Sequence, residues 1–238
     1  MTTRIFGSGI RRREDPRLIT GGATYTDDVQ LPGMLYAAIL RSPHAHAKIN
    51  SIDTSAAAAA PGAVAVYTGA DIEGVLNGIP CAWVPPGADL VAVAHPAIAK
   101  DVVRYQGDAV AVVVAEDRYQ AEDALELINV DYDALPSVTN PEAAIQPGAP
   151  QIHEDAPNNQ AFHWVAEGGD TDAAFAAADV IVKDIIIQQR LIPNAMEPRS
   201  AVANWTKTTG ELTLWSTSQN PHICRFLASL VTGIGEHK

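Results

Sequence analysis

Apolar and polar positions along this chain predict alternating strands and helices. Residues 35–41 form a β-type run that begins after Pro32 and Gly33 and ends at Ser42-Pro43. A short helix is expected over 55–60, with Thr54 as its cap and Pro61-Gly62 as its stop, and residues 64–67 give a second strand. The alanine run inside that helix reads as helix propensity. Residues 109–115 are apolar without a break, which suits a strand buried on both faces. Asp117 and Gln120 follow with capping-box spacing. Ala121, Ala124, Leu125 and Ile128 then make one helical stripe opposite Glu122, Asp123 and Glu126. Residues 128–132 return as a strand, so this stretch predicts a strand-helix-strand element, with a right-handed crossover if its strands run parallel.

Residues 135–169 carry prolines, asparagines and polar side chains without a period and read as a connector. Ile152, Phe162 and Trp164 need burial, which drapes the connector over a surface and makes a domain boundary plausible there. Asp170 is the expected cap of a helix running through 178, and residues 180–190 read as a long strand. Residues 200–205 and 211–215 flank the turn Lys207-Thr208-Thr209-Gly210, a hairpin signal. Asn220 then caps a helix that has Pro221 in its first position and Gly233 as its stop. Ile223, Phe226, Leu227, Leu230 and Val231 are its expected buried stripe, for which most of the supporting sheet is expected beyond Lys238. No internal repeat is present, and the fold class is mixed α/β (α+β).

With 238 residues and 47% hydrophobic side chains, the chain can build one large core or two modest ones. A formal charge of -12 excludes a nucleic-acid surface, which needs clustered Lys and Arg. The basic run from Arg11 to Arg13 leads into Glu14, Asp15 and Pro16 rather than into an apolar segment, so it reads as a short binding arm or a solvated terminus instead of an export signal. No apolar run approaches the roughly 20 residues that cross a bilayer, so no transmembrane segment is expected. Cys81 and Cys224 lie far apart in no metal-like spacing, which points to reduced thiols in a cytoplasmic protein.

The stretch Trp215-Ser216-Thr217-Ser218-Gln219-Asn220-Pro221-His222 places a side-chain amide at a strand-to-helix corner. Such corners collect free backbone N–H groups and favour phosphates, oxo groups and other electron-rich ligands. Taken alone, Gln219 is a capping or solvated side chain, Asn220 is a helix cap before it is a cofactor contact, and His222 is a surface histidine with no carboxylate partner. Glu197 is a tempting proton acceptor, since burial raises a carboxyl pKa, and Arg199 is its candidate ion-pair partner. His44 and His46 would project the same way from a continuing strand, but a third metal ligand is not apparent. Gly107-Asp108 lacks the Gly-rich entry into a helix that a phosphate loop requires, and Asp117 with Gln120 is assigned to capping rather than paired-carboxylate catalysis.

An ordered set of short motifs resembles the large, molybdopterin-binding subunits of the xanthine dehydrogenase and aldehyde oxidase family, most of all the aerobic carbon monoxide dehydrogenase-like branch. The segments are Gly21-Gly22-Ala23-Thr24-Tyr25-Thr26-Asp27-Asp28, Leu31-Pro32-Gly33-Met34, Arg41-Ser42-Pro43-His44-Ala45-His46-Ala47, Ile52-Asp53, Pro61-Gly62 and the stretch 107–133. Met196-Glu197-Pro198-Arg199, Ser216-Thr217-Ser218-Gln219-Asn220 and Gly235-Glu236-His237-Lys238 complete it. Each piece is weak alone, whereas the order is specific and covers essentially the whole chain.

The resemblance implies an N-terminal arm over 1–17, a hammerhead α/β domain over 18–135, a connector over 136–169 and the start of a molybdopterin-binding domain over 170–238. It implies a molybdenum-pterin cofactor, in its molybdopterin cytosine dinucleotide form, with most contacts lying beyond this chain. It also implies partners: an iron-sulfur subunit, an FAD-binding medium subunit and the remainder of the large subunit. Family enzymes hydroxylate a carbon centre with oxygen from water, or oxidise carbon monoxide, and pass the electrons to those subunits. Gln219 matches the glutamine whose amide donates to the apical oxo group of molybdenum, a role suited to two neutral N–H donors. The family's catalytic glutamate lies near the end of a much longer chain. Glu197 is therefore expected to support the residues that touch the cofactor, and no catalytic residue is expected here. The copper-binding cysteine of the carbon monoxide-oxidising branch also comes from a later loop, so neither Cys81 nor Cys224 inherits that role. Two functions follow as expectations: a portion of a molybdenum oxidoreductase, inactive alone, or a non-catalytic assembly module that docks to partner subunits.

Overall fold

The computed structural model describes residues 6–81, 86–93 and 95–238, so the first five residues of the arm expected over 1–17 lie outside the described residues. In chain order the elements are α1 Asp15–Ile19, β1 Tyr36–Arg41, β2 Ala47–Asp53, α2 Ser55–Ala58, β3 Ala63–Thr68, α3 Gly69–Ile72, β4 Val102–Val103, β5 Ala109–Ala115, α4 Arg118–Leu125, β6 Asn129–Ala134, α5 Pro141–Ala144, α6 Thr171–Ala177, β7 Ala201–Thr206, β8 Glu211–Ser216 and α7 Pro221–Thr232. They group into two compact units, one built from Gly33–Arg190 with Pro221–His237, the other from Met1–Pro32, Leu191–Asn220 and Lys238.

The larger unit contains two three-stranded antiparallel sheets, β1-β5-β3 and β4-β2-β6. The unbroken apolar run makes β5 the central strand of the first. Ala111, Val113 and Ala115 on one face of β5 are fully buried, and the last two pack with Ala38 against Ala121, Ala124 and Leu125 of α4. The small alanines let α4 lie close to the sheet. Val110, on the other face of β5, joins Ala47, Ala99 and Val103 in a second cluster that also receives Ile49, Ile52, Val130 and Tyr132. Both faces of β5 are thus used, as the run of valines and alanines requires.

The Asp117 carboxylate accepts the Gln120 N–H at 2.8 Å and starts α4. Only this half of the expected box forms, because the Gln120 side-chain oxygen is buried without a hydrogen-bond partner. The strand-helix-strand reading needs a larger correction. The strands on either side of α4 lie in different sheets, because both edges of β5 are already taken by β1 and β3 and leave β6 to pair with β2. The Thr54 side chain makes no cap bond to α2; the Asp53 carboxylate accepts the Ser55 N–H at 3.0 Å instead.

The connector carries more local order than its lack of periodicity suggests. Asn140 caps α5 by accepting the N–H groups of Glu142 and Ala143. Asn159 accepts the Ile152 N–H and donates to the carbonyls of Ala144 and Pro150, each at 2.9 Å. Ile152 is half-buried, but Phe162 and Trp164 are exposed, contrary to the expectation that they pack under the connector. Asp170 caps α6 through the Ala173 N–H at 2.9 Å, as expected. Residues 180–190 form no strand, and Val182, Ile185, Ile186 and Ile187 are exposed, Ile186 at 89%. A β run of this kind needs a neighbouring strand for its backbone groups, and none pairs with it among the described residues. The stripe expected to bury α7 is corrected for the same reason: Ile223, Phe226 and Leu230 are exposed, although the helix starts at Pro221 and stops before Gly233, whose φ of 73° only glycine adopts readily.

In the smaller unit β7 and β8 form the expected hairpin, Ala201 opposite Ser216 and Thr206 opposite Glu211. Gly210, with φ of 66°, closes the turn by donating to the Thr206 carbonyl at 2.8 Å. Leu212 of β8 donates its N–H to the Lys238 carbonyl at 2.8 Å.

Candidate cofactor site

The end of β8 and the segments beside it build the site within the smaller unit. The Ser200 carbonyl accepts the Thr217 N–H at 3.1 Å and extends the hairpin by one bond. The Glu197 carboxylate lies between two stretches far apart in sequence. Its Oε1 accepts the Thr26 N–H at 3.1 Å and the Thr26 hydroxyl at 3.2 Å, and the Thr217 hydroxyl stands 3.3 Å away. That hydroxyl also lies 3.1 Å from the Pro198 carbonyl, and its single proton can serve one acceptor at a time. Three of the short motifs named above meet at one carboxylate. The local reason is plain: Thr26 opens a 3-10 turn capped by the Asp28 side chain on the Tyr25 N–H, which leaves the Thr26 N–H pointing away from its own turn.

Beyond Thr217 the chain bends. Ser218 Oγ accepts the Asn220 N–H at 2.9 Å, a hydroxyl-closed turn that places Gln219 at its tip. Gln219 is exposed, and its amide makes no hydrogen bond among the described residues. Asn220 is exposed and joins the turn through its backbone. The chain neighbours of Gln219, namely Thr217, Ser218 and Asn220, carry neutral hydroxyls and an amide, and no group of three or more His, Cys, Asp or Glu among the described residues could hold a metal ion directly. Such a donor set can present N–H and O–H groups to an oxo or phosphate oxygen, and it cannot replace the metal's own ligands.

The remaining candidates lie apart from this turn. Arg199 is exposed and does not pair with Glu197, whose partners are threonines; the intervening Pro198 carbonyl faces Thr217 instead. His222 is exposed in the first turn of α7. In the larger unit, the His44 ring lies 4.9 Å from that of Tyr132, and His46 Nδ1 is 2.8 Å from the Pro136 carbonyl, so the two histidines have different partners and form no ligand pair. Cys81 is exposed and Cys224 half-buried, and neither is part of a disulfide. Gly107-Asp108 makes a turn in which the buried Asp108 carboxylate accepts the Arg104 N–H at 3.2 Å, in keeping with a structural role.

Sequence reasoning missed Thr26 and Thr217 as partners of Glu197. Both stand inside quoted motifs, so their order along the chain was the available signal.

The profile of the aldehyde oxidase and xanthine dehydrogenase a/b hammerhead domain matches residues 20–136, and that of the molybdopterin cofactor-binding domain matches residues 152–238. The carbon monoxide dehydrogenase large chain of Afipia carboxidovorans is 42% identical over 99% of this chain and 30% of its own length. The nicotine 6-hydroxylase large subunit of Paenarthrobacter nicotinovorans is 39% identical over 100% of this chain and 29% of its own length. Among solved structures, quinoline 2-oxidoreductase from Pseudomonas putida 86 superposes with a TM-score of 0.83 at 38% identity, over 97% of this chain and 29% of that one. The chain thus spans about a third or less of the length of these relatives. No helix among the described residues is long and apolar enough to cross a membrane. With its mixed α/β fold, its motif order and both domain profiles, the chain belongs to the xanthine dehydrogenase and aldehyde oxidase family of molybdenum hydroxylase large subunits.

Proposed function

We propose that this chain supplies the hammerhead domain, about 18–135, and one wall of the molybdenum-cofactor pocket, within 170–238, of a cytoplasmic molybdenum-dependent oxidoreductase. Residues 1–17 serve as an arm and 136–169 as the connector. The observation that supports this most is the turn at Gln219, whose exposed amide sits two residues after Thr217, which the Glu197 carboxylate brackets together with Thr26.

Gln219 would hold the cofactor by donating from its neutral amide to the apical oxo group, and its donors keep their protons at any physiological pH. Asn220 gives a weaker contact. Glu197 acts behind them, fixing Thr217 so that the turn does not wander when the amide is engaged. When bound, the cofactor, in its molybdopterin cytosine dinucleotide form, would supply the redox chemistry for inserting water-derived oxygen at a carbon centre or oxidising carbon monoxide. An iron-sulfur subunit and an FAD-binding subunit would be the partners that receive the electrons. The base and most pterin contacts come from the rest of the large subunit, so the chain alone does not turn over substrate.

Molybdenum and pterin analysis tests this after co-production with the remainder of a large subunit and both small subunits. Stoichiometric metal that falls on Gln219→Ala is expected. Metal content indifferent to Gln219→Ala overturns the site, and a stable metal-free complex with the small subunits points to an assembly module instead.

A further inference from the structure

Helix α7 begins two residues after Gln219, yet none of its twelve residues is buried, and no other helix or strand packs broadly along it among the described residues. What fixes its position is therefore informative. Its last turn has an unusually complete set of acceptor partners. The Ala228 carbonyl takes the Thr232 hydroxyl at 2.7 Å, and the Ser229 carbonyl takes the Gly233 N–H at 2.9 Å. The next two carbonyls, of Leu230 and Val231, are both served by Asn77, from 153 and 154 positions earlier in the same unit. Asn77 Nδ2 donates to Leu230 at 2.8 Å, and the Asn77 N–H donates to Val231 at 2.8 Å. These are carbonyls that a helix end leaves without intrahelical partners.

The loop that carries Asn77 is itself well anchored. At its start the Asp71 carboxylate accepts both the N–H and the hydroxyl of Thr68 at 2.7 Å. Glu73 pairs with Lys100 at 2.7 Å, and the Ile79 N–H donates to the His95 carbonyl at 2.7 Å. Asn77 itself is exposed, and bonds on both sides of it hold the loop that carries it.

We propose that Asn77 is a positioning residue: it ties α7 to the hammerhead domain and, through a rigid helix of about 18 Å, limits the movement of the helix start that follows Gln219. Its importance for the cofactor rests on the reading of Gln219 given above, whereas the tie itself does not.

Hydrogen exchange on the whole 238-residue chain tests it. The informative amides are those of Arg225, Phe226 and Leu227, in the half of α7 next to Gln219. Asn77→Ala removes the side-chain donor, and Asn77→Asp keeps the size while setting an anionic oxygen against the Leu230 carbonyl. Thr232→Ala loosens the same helix end without touching Asn77. Both Asn77 variants are expected to speed exchange at 225–227 about five-fold, while Thr232→Ala affects only the last turn. The inference is overturned by unchanged exchange at 225–227 in the Asn77 variants that fold, or by equal loosening there in Thr232→Ala. Metal content of the Gln219→Ala complex reports separately on the site: an indifferent value there with faster exchange in the Asn77 variants leaves the tie standing and removes the cofactor reading.

Discussion

Glu197 receives both the backbone N–H and the hydroxyl of Thr26, at 3.1 and 3.2 Å, across 171 positions of chain. One carboxylate oxygen thereby joins the strand-to-helix corner near Gln219 to a turn close to the start of the sequence. Two neutral donors from one residue hold the carboxylate by two bonds without placing a positive charge beside it.

Glu197→Ala leaves the Thr26 N–H and the hydroxyls of Thr26 and Thr217 without their shared acceptor in a partly buried place. A loss of about 1–2 kcal/mol is expected, read as a lower midpoint in urea unfolding followed by tryptophan fluorescence. Glu197→Gln retains a carbonyl acceptor and should lose less than half as much. Equal loss in the two variants would show that charge, rather than acceptance from threonine, is what matters.

The sequence pattern made β5, α4, the β7–β8 hairpin, the Asp170 cap and the Gly233 stop legible, because each is fixed by neighbours within a few residues. The pairing of β6 with β2 was not legible. The chain between β5 and β6 says nothing of whether the edges of β5 are already occupied by β1 and β3. The apolar run over 180–190 reads as a strand for sound reasons and still forms none, since a strand is a property of a pair. At the candidate site, the motif order singles out Gln219 and contains Thr26, but it does not say that Thr26 meets Glu197, because hydrogen bonding across 171 positions leaves no periodic trace.

Gly69 opens α3 where the backbone passes close to a neighbour. A Cβ there would stand 2.6 Å from the Ala99 carbonyl oxygen and 2.8 Å from Lys100 Cα, both backbone atoms that cannot swing aside. Gly69→Ala should therefore destabilise by about 1–3 kcal/mol and lower the thermal midpoint. Gly74→Ala is the contrasting case: it has open space but a φ of 74°, so its cost is conformational strain alone and should be smaller, about 1 kcal/mol.

His153 is held below the usual histidine range, first by burial, then by the Arg104 charge and by His95 and His46, against a smaller opposing pull from Asp155. A histidine whose folded pKa is depressed binds its proton more readily in the unfolded chain, so stability falls as pH drops from about 6.5 toward the folded value. Asp71 acts at lower pH in the same direction. Its carboxyl is held down by the Thr68 hydroxyl and then the Thr68 N–H, so it contributes stability above about pH 3.9 that is lost as pH falls through its lower folded value. Urea midpoints between pH 7 and pH 5 should decline in the native chain and decline less in His153→Gln. An identical slope in the two would remove His153 as the source.

Residues 180–192 present Val182, Ile185, Ile186, Ile187, Leu191 and Ile192 to solvent, with Lys183 and Arg190 exposed among them. A protease must draw a stretch of chain into its cleft as an extended strand, so an unpaired extended segment is cut long before one held in a sheet or a capped helix. Brief trypsin treatment is expected to cleave after Lys183 and Arg190 well before it cleaves after Arg118, in the helix that Asp117 caps and the first core anchors. The piece ending near Lys183 should then persist, as it contains both antiparallel sheets. Co-production with the later part of a family large subunit should slow the two early cuts at least ten-fold if that part supplies a neighbour strand. Rates unchanged by its presence would mean that these apolar residues are covered by something else.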